Sequence, residues 1–219
     1  MQGASKFWTF FDQEAAPQLA RRESPFRKMF QFLDQFDRPV TIVETGCVRM
    51  AGNWQGDGQS TVLFDRYISL RDTDSIAYAV DIEEASVQQA RALVSDRVKV
   101  TREDSVKFLT ELVGRLSSED KTIDLLYLDS FDLDWVHWYP SSIHHLKELC
   151  AAMRVIRKDT LVAVDDAPLE ASFVPGPHNQ AEFLQGPFVG GKGRLVAEFA
   201  AACGAQPHFA SYQAGWTGF

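Results

Sequence analysis

The sequence predicts an α/β protein built on a doubly wound, mostly parallel sheet. Three observations predict it. Five short, largely apolar runs, the first of them β-branched, alternate with segments of helical length. Four of those runs end in or beside a carboxylate. The chain has 219 residues, 45% of them hydrophobic, which is enough to bury a sheet between helices within one α/β domain. Such alternation implies right-handed crossovers, with helices covering both faces of the sheet.

Residues 5–20 and 24–37 read as helices, the second opening at Ser24-Pro25, a cap followed by proline in the first turn. Phe7, Trp8, Phe10 and Phe11 suggest a helix that packs on the domain, with a lid or an oligomer contact as its other uses. Residues 1–38 are therefore expected to form an N-terminal helical extension and 39–219 the core of a single domain. TIVET (41–45) is the first strand and 60–71 a helix. AYAVDI (77–82) is the second strand, before a helix over 83–95. VKVT (98–101) is the third, before a helix over 104–116. IDLLYLD (123–129) is the fourth, followed by a long helix over 136–157, and TLVAVDD (160–166) is the fifth. The Gly/Pro-rich stretch 167–193 reads as a long loop able to close over a substrate, with His178, Asn179 and Lys192 as candidate contacts. A helix at 193–203 and a final strand or hairpin at 206–218 complete the chain.

The net charge of −8 disfavours a nucleic-acid partner, which needs a basic stripe against phosphates; Arg21, Arg22, Arg27 and Lys28 come nearest to one. Cys47, Cys150 and Cys203 are widely separated and form no CxxC pair, so neither a disulfide framework nor a zinc site is expected. No apolar run approaches the roughly 20 residues that cross a bilayer. The expectation is a soluble cytoplasmic protein with a small-molecule partner and no membrane partner.

Ligands on open parallel sheets bind beyond the carboxyl ends of the strands. There stand Glu44, Asp81, Asp129, Asp165 and Asp166, with Asp104 shortly after the third strand. The first turn, ETGCVRMAGNWQGDGQST, has glycines at 46, 52, 56 and 58, and Ser60 or Thr61 is placed to cap the next helix. Its spacing fits neither the dinucleotide glycine motif nor the phosphate-loop motif, and no Lys follows Gly58. Asp81 can accept both hydroxyls of a ribose, a role shared by dinucleotide and adenosylmethionine enzymes. Asp104 and Ser105 either reach a base or simply start a helix.

Five segments, VETGCVRMAG, AVDIEEA, EDSVKFL, LLYLDSFD and LVAVDDAP, together resemble the class I S-adenosylmethionine-dependent methyltransferases, over roughly residues 40–166 and more loosely to the C-terminus. The resemblance implies a seven-stranded Rossmann-like sheet. It implies Glu44 and Gly46 by the methionine part of the cofactor, Asp81 on the ribose, Asp104 with Ser105 on the adenine, and Ser60, Thr61, Ile82 and Asp129 around them. The first turn departs from the family by about six extra residues, including Asn53 and Trp54, the latter a candidate cover for cofactor or substrate.

Asp129, Asp165 and Asp166 resemble the metal ligands of magnesium-dependent O-methyltransferases of the catechol type and, with a double Asp, of the macrolide and aminocoumarin sugar type. Clustered carboxylates repel one another, and a hard divalent cation relieves that cost. Mg2+ or another divalent cation is thus expected beside S-adenosyl-L-methionine. Asp132 and His137 are the expected catalytic bases, with Asp134, His144 and His145 as other candidates, and Trp135, Trp138 and Tyr139 either line a pocket or pack on the sheet. The expected reaction is O-methylation of a hydroxyl on a small molecule such as a sugar or natural-product intermediate. The alternatives are a metal-independent N- or carboxyl-methyltransferase, a nucleotide-dependent oxidoreductase and a non-catalytic relative. A homodimer is common in the resembled groups.

Overall fold

The computed structural model describes residues 2–71, 73–168, 171–175, 177–186 and 188–219. Strands β1 (Thr41–Thr45), β2 (Ile76–Asp81), β3 (Val98–Arg102), β4 (Leu125–Leu128) and β5 (Leu161–Val164) pair in parallel in the order β3-β2-β1-β4-β5. β6 (Ala171–Pro175) and β7 (Ala181–Gln185) form a separate antiparallel pair. β8 (Gln206–Ala210) and β9 (Ala214–Thr217) make the final hairpin, which joins the main sheet with β9 antiparallel to β5 and β8 at the edge. The main sheet therefore has seven strands, mostly parallel, in an α/β Rossmann-like arrangement.

Period-two alternation sorts the central strands between two cores. Ile42, Leu125, Tyr127, Leu161 and Ala163 face one layer. Val43, Leu126, Leu128, Val162 and Val164 face the other. Helices α1 (Gln2–Phe10), α2 (Glu23–Leu33), α4 (Ser60–Ser69) and α5 (Glu84–Leu93) contribute to the first core. Helices α6 (Ser105–Ser118), α7 (Tyr139–Ala152) and α8 (Arg194–Cys203) contribute to the second. A short α3 (Trp54–Asp57) lies inside the long first turn.

The N-terminal aromatics belong to the first core. Phe7 meets Phe30 at 4.6 Å and Tyr67 at 4.9 Å between ring centroids, in edge-on geometry. Phe7 and Phe11 are fully buried, so they are spent within the chain rather than held out for a lid or a partner. The expected single helix over 5–20 is broken. After α1 come a π-helical turn (Phe11–Ala15) and two 3-10 turns (Ala16–Gln18 and Ala20–Arg22). Pro17 cannot donate an N–H and crowds the preceding turn, and Ala20 adopts a positive φ of 49°. α2 starts at Glu23 without a side-chain cap, and Arg22 just before it already has helical backbone angles. Among the described residues no helix is long and apolar enough to cross a membrane.

Strand register sets the site. Thr45 pairs with Val80 and with Leu128, and Leu128 pairs with Val164. One residue further on, Asp81, Gly46, Asp129 and Asp165 therefore stand in a row across four strands. The row straddles the β1–β4 boundary, where the strand order reverses and an open α/β sheet leaves a crevice.

Candidate active site

Gly46 begins the crevice. Its φ is 84°, and a Cβ there would lie 2.5 Å from the Asp129 carbonyl oxygen, so only glycine fits between β1 and β4. The turn that follows is tied down from within. Asp81 accepts the Cys47 N–H at 3.1 Å and the Thr61 hydroxyl accepts that of Val48 at 2.9 Å. Asp57 accepts the N–H groups of Arg49 (2.9 Å) and Met50 (3.3 Å), and the Gln59 amide oxygen accepts that of Gly52 at 3.1 Å. Asn53 caps α3 by accepting from Gly56 at 3.2 Å. The N–H groups that a phosphate loop would aim at an anion are thus already occupied. Ser60 and Thr61 do not cap α4: the N-cap is Gln59, in the left-handed region. Trp54 packs against the first core and does not cover the crevice.

Two adjoining clefts open here, of about 240 Å³ and about 380 Å³. Gly46, Cys47, Ser60, Asp81, Ile82, Glu83, Ser130 and Phe131 are among the residues that line the first, together with Arg49, Asp57, Asp129 and Asp132. Those last four also line the second, beside Arg22, Trp135, Asp165, Asp166 and Tyr212. Among the described residues, the charged ones lining the first cleft are five carboxylates and Arg49. Asp81 also accepts the Glu83 N–H at 2.9 Å, and its two oxygens keep lone pairs for further donors.

Glu44 lies behind the lining of the first cleft, 2% exposed. The Ser60 and Thr61 hydroxyls lie close enough to ease its charge, yet among the described residues neither carboxylate oxygen has a partner in hydrogen-bonding geometry. Burial pushes its pKa up to about 8. An orphaned carboxylate at this depth suits a cationic ligand group.

A second buried carboxylate is fully partnered. Glu148 on α7 accepts from the Ser130 hydroxyl at 2.5 Å and from Thr45 at 3.1 Å, and lies 3.4 Å from His144 Nε2. Burial alone would raise its pKa, but His144 and His145, with the Ser105 and Ser130 hydroxyls, hold it below the usual carboxylate range. His144 also shares a 2.9 Å hydrogen bond with the Ser105 hydroxyl. Ser105 is thus occupied beneath the crevice, and Asp104 is the N-cap of α6, accepting the Lys107 N–H at 2.9 Å. Neither lines a cleft. His145 donates from Nδ1 to the Ser141 carbonyl at 2.7 Å, and burial lowers its pKa to about 4.

Of the expected bases, Asp132 lines both clefts and pairs with Arg49 at 2.9 Å. His137 is exposed and lines neither cleft. It lies ahead of α7 rather than in its first turn, its N–H held by Asp134 at 2.9 Å. Trp135 faces the second cleft, whereas Trp138 is buried.

Asp129, Asp165 and Asp166 converge, each offering one oxygen within 4.8 Å of the others. Two cations of the chain stand among them. Lys192 pairs with Asp129 and, at 3.1 Å, with Asp166. Arg22 donates to both oxygens of Asp165, at 3.0 and 3.2 Å, and to Asp166 at 3.4 Å. Tyr212 also donates to Asp166. Burial would raise the Asp166 pKa, but Lys192, Tyr212 and Arg22 keep it below the usual range. With every acid already holding a cation, the residues as arranged do not fit a divalent ion. In the sequence Arg22 stands out only as one of the basic cluster Arg21, Arg22, Arg27 and Lys28, and Lys192 only as a candidate contact in a long loop. That stretch instead carries the β6–β7 pair and a glycine-flanked turn; residues 169, 170, 176 and 187 lie outside the described residues.

No family model matches the chain, and no curated protein matches it. Among solved structures, the chain is 12% identical to DhpI in an SAH complex, with a TM-score of 0.44 over 99% of this chain and 94% of that one. It is 12% identical to DhpI in a SAM–HEP complex, with a TM-score of 0.43 over 99% and 98%. It is 19% identical to a short-chain dehydrogenase/reductase from Saccharomyces cerevisiae, with a TM-score of 0.44 over 58% of this chain and 53% of that one. The chain thus spans about half the length of that reductase.

Proposed function

We propose that the chain is an S-adenosylmethionine-dependent methyltransferase acting on a hydroxyl of a small polar molecule. The observation that carries the proposal is the sign of the first cleft: five carboxylates, one guanidinium and a turn whose N–H groups are occupied. Such a surface repels the diphosphate of a dinucleotide and attracts a cofactor that bears a sulfonium and an ammonium.

Asp81 would hold the ribose hydroxyls, and exposed Ile82 beside it would give the base an apolar contact. Gly46 lets the chain approach the cofactor closely, and Ser60, Asp129 and the Glu44 carboxylate behind them would face its amino-acid end. Asp104, Ser105 and Thr61 keep structural roles in this assignment. The bound cofactor supplies an electrophilic methyl group. The chain's part is to align an acceptor oxygen in the second cleft, exclude water and take up the hydroxyl proton. Asp132, between the two clefts, is the proposed base. Trp135 and the polar lining suit a polyhydroxylated acceptor such as a sugar.

Calorimetry with S-adenosylmethionine and with NAD tests the cofactor. Binding of the former alone is expected; binding of NAD alone would point to an oxidoreductase and end the proposal.

A further inference from the structure

The acidic rim is charge-compensated by the chain itself. Lys192 is 2% exposed, far from the free sweep of a surface lysine. Its backbone is built onto the acid it neutralises: the Lys192 N–H donates to the Asp166 carbonyl at 3.1 Å. The neighbouring Gly191 has a φ of 52°, and a Cβ there would lie 2.2 Å from that same carbonyl oxygen. Asp166 itself is held at a φ of 43°, uncommon for a residue other than glycine. The turn thus delivers the ammonium to one place. Arg22 arrives from the N-terminal 3-10 turn Ala20–Arg22. Besides its acids it donates to the Gln55 carbonyl at 3.0 Å, and its guanidinium lies 4.8 Å from the centre of the Tyr212 ring.

We infer that Lys192 and Arg22 stand in place of a divalent ion, so that this site works without metal. Three carboxylates carry at most three negative charges, against two positive ones already present. A divalent ion added to the cluster would set four positive charges against three negative ones in a space whose carboxylate oxygens lie within 4.8 Å of one another. Entry of the ion would require a buried lysine to leave both of its carboxylates and stand uncompensated in the interior. Of the two fixed cations, Arg22 also lines the second cleft, where its charge does not depend on metal supply.

The test is manganese binding followed by electron paramagnetic resonance, in which bound ions lose the free six-line signal. The wild-type chain is expected to leave the free signal unchanged at stoichiometric Mn2+. Lys192→Met and Lys192→Gln each remove one charge, and either variant is expected to bind Mn2+ about tenfold more tightly than wild type or better. Two substitutions guard against one failing to fold, with circular dichroism as the check. Stoichiometric binding by the wild type that Asp165→Asn abolishes would overturn the inference. So would folded Lys192 variants that bind no more Mn2+ than wild type, because the vacancy would then have no cation character. Either failure leaves the cofactor assignment untouched, since calorimetry with S-adenosylmethionine decides that separately.

Discussion

Glu44 shows how much one side chain can reveal when its environment contradicts its chemistry. It lies in the interior of β1, between Val43 and Thr45, where a strand of a parallel sheet is ordinarily apolar. Its folded pKa of about 8 lies above the unfolded value of about 4.3. The native state therefore keeps a proton that the unfolded chain releases. Its contribution to stability is complete below about pH 4 and is lost as pH rises through about 8. Urea unfolding of the apo protein should show stability falling across that window, and Glu44→Gln should remove that part of the fall. A cationic cofactor reverses the balance by favouring the ionised form. S-adenosylmethionine affinity, measured by calorimetry, should rise between about pH 6 and 9 in wild type and stay flat in Glu44→Gln. At Asp132 the expectation is kinetic: Asp132→Asn should lower kcat by roughly 10²–10⁴-fold and leave the cofactor Kd unchanged. An unchanged kcat would remove Asp132 from the chemistry.

Among the elements, α6 separates two roles that the sequence could not tell apart. Asp104 is spaced to touch a base or to cap a helix, and the structure shows it capping, with its carboxylate on the Lys107 N–H. Asp104→Ala should cost about 1 kcal/mol in urea unfolding, Asp104→Asn should restore most of it, and neither should shift the cofactor Kd. A large loss of affinity in both would return Asp104 to the binding site. The long first turn makes a related point. Its glycines suggest close approach to a ligand, yet its N–H groups bind Asp57, Gln59, Asp81 and Thr61. Those partners lie up to 34 residues away in the chain, so the pairing cannot be read from spacing. The β6–β7 pair escaped for another reason. Short strands beside Pro and Gly, outside the main sheet, carry the composition of a loop.

At the scale of the whole molecule, the N-terminal turn and the fifth strand are joined through the site. The Arg22 and Asp165 side chains are 7% and 2% exposed and 143 residues apart in the chain. Arg22→Met leaves Asp165 buried and without its partner, and should cost about 3–5 kcal/mol by urea unfolding. Adding Asp165→Asn should recover part of that loss, because the orphaned charge is gone. If the double variant is as unstable as the sum of the two single ones, the pair is not coupled.

The sequence by itself determined the alternation of strands and helices, the parallel centre of the sheet and the acids at the strand ends. Those follow from local period, composition and the alternation of side chains along a strand. Tertiary structure alone decided what each acid faces. Register brought Asp81, Asp129 and Asp165 into one row, burial left Glu44 without a partner, and distant segments supplied Lys192 and Arg22. The physical reason is that a charge is defined by its neighbours within a few ångströms, and here those neighbours come from parts of the chain far apart in sequence.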